Sequence, residues 1–114
     1  MTLSRRETLF LSIPSDPGLA RIARLVSLHF LKQNGVRTRE SRLEAGLVET
    51  RCRALLRASA VRGTGRASRR SRVAGSLMFV LTLVSGIREL EVRIRRNDGS
   101  GRRRLLRLRR PAAP

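Results

Sequence analysis

The alternation of apolar and polar positions divides the chain into segments of clear type. Leu9, Leu11 and Ile13 fall on one side of a period-two pattern, which predicts a strand over Thr8 to Ile13 that Pro14 ends. Asp16-Pro17 then supplies a helix start, with an acid at the N-cap and proline at the first helical position. Leu19, Ile22, Ala23, Val26 and Phe30 follow at helical spacing, and Asn34-Gly35 gives a C-terminal stop. A second helix is predicted from about Thr38 to Ala60. One stripe runs through Leu43, Leu47, Ala54 and Ala58, with Val48, Cys52, Leu55 and Leu56 beside it. Gly46 weakens that helix by roughly 1 kcal/mol relative to alanine. Residues 61–75 show no period and read as a Gly/Arg/Ser loop. Leu77 to Val84 is a continuous apolar run suited to a buried central strand. After a turn at Ser85-Gly86, Leu90, Val92 and Ile94 alternate with Glu91, Arg93 and Arg95, so this strand has one wet face, solvated or covered by a partner. Asn97 to Gly101 closes it in a glycine-rich loop. The order implies an α+β domain, two helices packed on one face of a small mixed or antiparallel sheet.

Composition narrows the chemistry. The chain has 114 residues, enough for one core and no more. It holds 26 Lys plus Arg against 8 Asp plus Glu, for a net charge of +18, and Lys32 is its single lysine. Residues 1–50 carry a net +3 and residues 51–114 a net +15, so the basic character belongs to the second half. It gathers in two blocks. Arg62, Arg66, Arg69, Arg70 and Arg72 lie in the Gly/Ser-rich loop. Arg102, Arg103, Arg104, Arg107, Arg109 and Arg110 form a basic tail, interrupted by Leu105, Leu106 and Leu108 and read as a short amphipathic segment for an anionic surface. Cys52 is the lone cysteine and His29 the lone histidine, so no cysteine-based or multi-histidine metal site is expected. Without Trp or Tyr, base-stacking platforms are not expected either. No apolar run approaches the ~20 residues of a spanning helix, which makes the reading cytoplasmic with no membrane partner.

Three stretches carry a resemblance. Leu11-Ser-Ile-Pro-Ser-Asp-Pro-Gly-Leu19 leads into a helix closing at Asn34-Gly35-Val36. Leu47-Val-Glu49-Thr-Arg-Cys-Arg53-Ala54 lies on the second helix. Leu90-Glu-Val-Arg-Ile-Arg-Arg-Asn97-Asp-Gly99-Ser-Gly101 runs a strand into a glycine box. In order and spacing the chain resembles anti-sigma regulatory factors of the RsbW/SpoIIAB type, members of the GHKL (Bergerat-fold) ATPase and kinase superfamily. The resemblance covers 1–101 as an incomplete domain, with 102–114 left as the tail. It implies Glu49 as the catalytic base for phosphoryl transfer, ATP as cofactor, and Arg53, Asn97, Gly99 and Gly101 at the nucleotide. It also implies a sigma factor and a STAS-type antagonist as partners, and a homodimer.

The departures pull against catalysis. The family has a magnesium-ligating Asn where Arg53 stands, and a guanidinium, having donors only, cannot ligate a cation. It can bind phosphate in place of the metal. Asn97 replaces the Asp that receives the adenine amino group, and only thirteen residues follow Gly101 where the family has a phosphate-covering lid. The expectation is therefore an anti-sigma-like regulator with a weak or inactive ATP site and no use for Mg²⁺. The alternative is a non-specific nucleic-acid or polyanion binder acting through the arginine-rich second half.

Overall fold

A computed structural model describes residues 7–62 and 78–111. The first arginine block, from Arg66 to Arg72, and most of the 61–75 loop lie outside the described residues. The fold is α+β: two helices on one face of a four-stranded sheet. Strand β1 (Glu7–Pro14) leads through a 3₁₀ turn (Pro17–Leu19) into α1 (Ala20–Gln33) and α2 (Thr38–Arg62). Strands β2 (Met78–Ser85), β3 (Glu89–Arg96) and β4 (Arg103–Arg109) follow. The spatial order is β1-β2-β3-β4 and every pair is antiparallel. Strand β2 begins at the end of the sheet where β1 finished, with Met78 opposite Pro14.

Local chemistry explains the element ends. The Asp16 carboxylate accepts from the Gly18 amide at 2.9 Å, capping the turn that Pro17 opens. Helix α1 stops in a Schellman motif: the Val36 amide donates to Leu31 carbonyl (3.0 Å) and the Gly35 amide to Lys32 carbonyl (3.2 Å). Gly35 has φ 87°, a left-handed conformation that a side chain resists. Asn34, just before it, accepts from the buried Ser85 hydroxyl at 2.7 Å and so ties the helix end to β2.

The core lies between the helices and one sheet face. Ile13, Phe79, Leu81, Leu83, Leu90, Val92 and Ile94 point inward and are buried. Against them pack Ala23, Phe30 and Leu31 of α1, and Val48, Cys52 and Leu56 of α2. The alternation of β3 is as its sequence predicts. The stripe of α2 is not. Leu43 (66% exposed), Leu47 and Ala54 face outward, and the buried row is Ser41, Ala45, Val48, Cys52 and Leu56. Both rows have helical spacing; the docking of α2 on α1 and the sheet selects which one is buried. The Ser27 hydroxyl of α1 is buried without a hydrogen-bond partner among the described residues.

The basic tail also differs from its sequence reading. Residues 103–109 are not an appended amphipathic segment but the fourth strand, with Leu105 and Leu106 in the core. The pairing with β3 shifts between Val92 and Arg93, so Val92 faces Leu106 while Arg93 faces Arg104. Leu105 is the extra residue of this bulge, which lets two consecutive leucines turn inward.

Candidate functional site

The residues singled out for nucleotide chemistry fall in two places. Glu49 sits on α2 with its side chain mostly buried, at 18% exposure. Its Oε1 receives Arg24 Nε from α1 at 2.8 Å, and its Oε2 pairs with Arg53 one turn along. Both carboxylate oxygens are therefore engaged by guanidinium donors, and the arrangement staples α1 to α2. A carboxylate shared between two guanidiniums is a charge-assisted tie between the helices. Arg53, expected at a phosphate, is paired with Glu49.

Asn97, Gly99 and Gly101 lie in the β3–β4 connection. The Asn97 amide donates to Met78 carbonyl (2.9 Å), extending the pairing of β3 with β2. The Gly99 amide donates to Arg96 carbonyl (2.9 Å) and the Arg96 amide to Ser100 carbonyl (2.8 Å), closing a hairpin. Gly99 and Gly101 have φ of 90° and 63°. Nothing lies within 4 Å of a Cβ placed on Gly99, so its glycine answers the turn conformation. The Asp98 carboxylate accepts from the Ser100 amide (2.8 Å) and hydroxyl (2.6 Å), and these bonds hold its pKa below the ordinary carboxylate value. No hydrogen bond or ion pair joins Glu49 or Arg53 to this loop among the described residues.

The six arginines of the second block take several roles. Arg107 donates to Glu89 with Nε at 2.9 Å and Nη2 at 2.5 Å, which keeps the Glu89 carboxyl below its ordinary value and raises the Arg107 pKa. Arg104 reaches Glu91 at 3.3 Å, and Glu91 also pairs with Arg93. Arg110 donates to Gly86 carbonyl (2.9 Å) and Arg102 to Gly99 carbonyl (3.3 Å). Arg103 and Arg109 are exposed on β4.

Sequence reasoning missed two arginines of the helices. Arg24 is the second partner of Glu49, and only tertiary packing brings it there. Arg51 of α2 donates to the carbonyl of Leu105, the bulged residue, at 2.5 Å and so anchors β4 to the helix. Cys52 and His29 behave as structural and surface residues: the Cys52 thiol is fully buried, and His29 is exposed.

The open side of the sheet is the other candidate. Opposite the helices, Thr8 and Phe10 of β1, Thr82 and Val84 of β2, Glu91, Arg93 and Arg95 of β3, and Arg104 of β4 line a broad concavity of about 1150 Å³. Glu49, Arg53, Asn97, Gly99 and Gly101 are not among its lining residues. Among the described residues no group of three or more metal-ligating side chains occurs, and no helix is long and apolar enough to cross a membrane. No known family model matches this chain, and no curated protein matches it.

Proposed function

We propose that this protein is a non-catalytic regulatory binding protein of the anti-sigma-factor type, acting in the cytoplasm by occupying a partner rather than by phosphorylating it. The observation that carries the reading is the Glu49 clamp: the carboxylate that the resemblance assigns as general base is held on both oxygens by Arg24 and Arg53. Phosphoryl transfer depends on positioned charge and a free base or water-orienting group, and neither Glu49 nor Arg53 supplies one. The partners that fit the resemblance are a sigma factor and a STAS-type antagonist, with a homodimer as the assembly.

Isothermal titration of the full chain with ATP tests this reading. The expected result is no magnesium-dependent binding at millimolar ATP. A low-micromolar affinity that requires Mg²⁺ would overturn it and restore the kinase. Binding of equal strength with and without Mg²⁺ would assign Arg53 to the phosphates and leave the non-catalytic conclusion standing.

A second reading, non-specific polyanion binding through Arg102 to Arg110, draws support from the net charge of +18. There Arg104 and Arg107 would have to exchange Glu91 and Glu89 for phosphate.

A further inference from the structure

The open sheet face is divided lengthwise. Its β1–β2 half is uncharged and carries the apolar side chains, with Phe10 66% exposed and Val84 set among Thr8 and Thr82, and Ile87 of the following turn is 65% exposed. Its β3–β4 half is cationic, with Arg93 and Arg104 more than half exposed and Arg95 alongside. Glu91, between Arg93 and Arg104, and Glu89, paired with Arg107, are the acids here; Arg88, Arg102 and Arg103 line the same concavity, so this half stays positive. Strand β2 is apolar except for Thr82 and Ser85, close to the pattern of a strand covered on both faces, yet among the described residues helices cover only one.

We propose that this face is the docking surface of the partner-binding role argued above, and that its occupant is an acidic amphipathic helix of another protein. Charge excludes the nearer alternatives. All eight acidic residues of the chain lie in the described part, and residues 1–6, 63–77 and 112–114 hold only arginines as charged groups. No remaining segment of the chain is therefore complementary to the cationic half. A second copy would set Arg93, Arg95 and Arg104 against their equivalents. A nucleic acid would satisfy the arginines and leave Phe10, Val84 and Ile87 wet. A helix lying along the strands meets both halves: its apolar side covers β1–β2, and glutamates on its flank reach over β3–β4. An eight-residue strand spans about 26 Å, the length of a helix of about 18 residues. Such a layer would complete a helix–sheet–helix sandwich.

The test uses the full chain and three fluorescein-labelled probes, followed by anisotropy. The first is an 18-residue helical peptide with leucine on one side and glutamate on the other. The second is a peptide of equal charge with glutamine in place of leucine, and the third is a 20-nucleotide oligo-dT. The expected order is amphipathic peptide first, at least about ten-fold tighter than the polar peptide, since several buried apolar side chains separate them. Phe10→Ser and the Arg93→Gln/Arg104→Gln pair each weaken that binding by about five- to ten-fold. Leu47→Ser, on the helical layer, leaves it unchanged. Ile87→Ser stands in for Phe10→Ser should the latter lose its native circular dichroism. Equal or tighter binding of oligo-dT with no loss in Phe10→Ser would replace the proposal with a phosphate polymer. A loss confined to Leu47→Ser would move docking to the helices, and no binding of the amphipathic peptide would also overturn it. The ATP titration reports on the non-catalytic reading separately, so the two can fail independently.

Discussion

Single residues here are set by their neighbours more than by their type. Glu49 and Arg53 would be an ordinary exposed helix pair in isolation; Arg24, arriving from α1, makes them a three-residue clamp. Cys52 shows the same dependence. Burial pushes its thiol up from 9.0 to about 11, Arg53 opposing and Glu49 adding to the shift. The sign of the linkage follows. In the unfolded chain the thiol ionises at its ordinary value, while the folded state keeps it neutral until much higher pH. The stabilisation is complete below pH 9 and is lost as pH rises through 11, by roughly 2–3 kcal/mol. Guanidinium denaturation at pH 8 and at pH 10.5 should show this loss in the native sequence and not in Cys52→Ala. An equal loss in both would assign the alkaline effect to other groups.

At the scale of elements, the strongest result is β4. Its arginines dominate the sequence and drew it toward a surface role, yet Leu105 and Leu106 are 2% and 4% exposed. Three arginine-flanked leucines do not show a clean period of two, because the bulge places 105 and 106 on the same side. The physical signal that would have found the strand is the bulge itself, which needs the partner strand. Leu105→Ala should cost about 2–4 kcal/mol in a denaturant melt, the range for a large core truncation, with a smaller loss for the half-buried Leu108→Ala. A loss under about 0.5 kcal/mol for Leu105→Ala would contradict its place in the core. As an edge strand, β4 also gains from its arginines, since charge discourages pairing with a further chain. On α2, two rows of apolar residues compete for burial. The sequence offered both Leu43 and Leu47 and, beside them, Val48, Cys52 and Leu56; packing chose the second row and added Ala45.

Over the whole molecule, 26 cations face 8 acids, so repulsion outweighs attraction even though Glu49, Glu89 and Glu91 are all paired. Screening should therefore stabilise the fold. Raising NaCl from 50 to 500 mM is expected to lift the thermal midpoint by several degrees, with about 1 kcal/mol corresponding to 4–8 °C in a domain of this size. A midpoint that falls with salt would mean that the ion pairs contribute more than the repulsion removes. The same excess gives the open sheet face its positive half, beside the uncharged β1–β2 half that exposes Phe10.

The sequence by itself determined the α+β class, the capped and glycine-stopped first helix, and the alternating β3 strand. Those features rest on local periodicity and turn chemistry, which the chain carries residue by residue. Tertiary structure alone decided which row of α2 is buried, that 103–109 is a strand, and that Arg24 reaches Glu49. It also decided that Phe10, Val84, Arg93 and Arg104 share one face. Each of these depends on contacts between residues far apart in the chain, whose energies local pattern does not record. The helix pair Glu49 and Arg53 and the turn at Asn97 to Gly101 could be read as parts of one nucleotide site or as an ion pair and a hairpin. In the folded chain packing brings Arg24 to the Glu49–Arg53 pair, and backbone hydrogen bonds close the turn as a hairpin with Gly99 and Gly101 at positive φ.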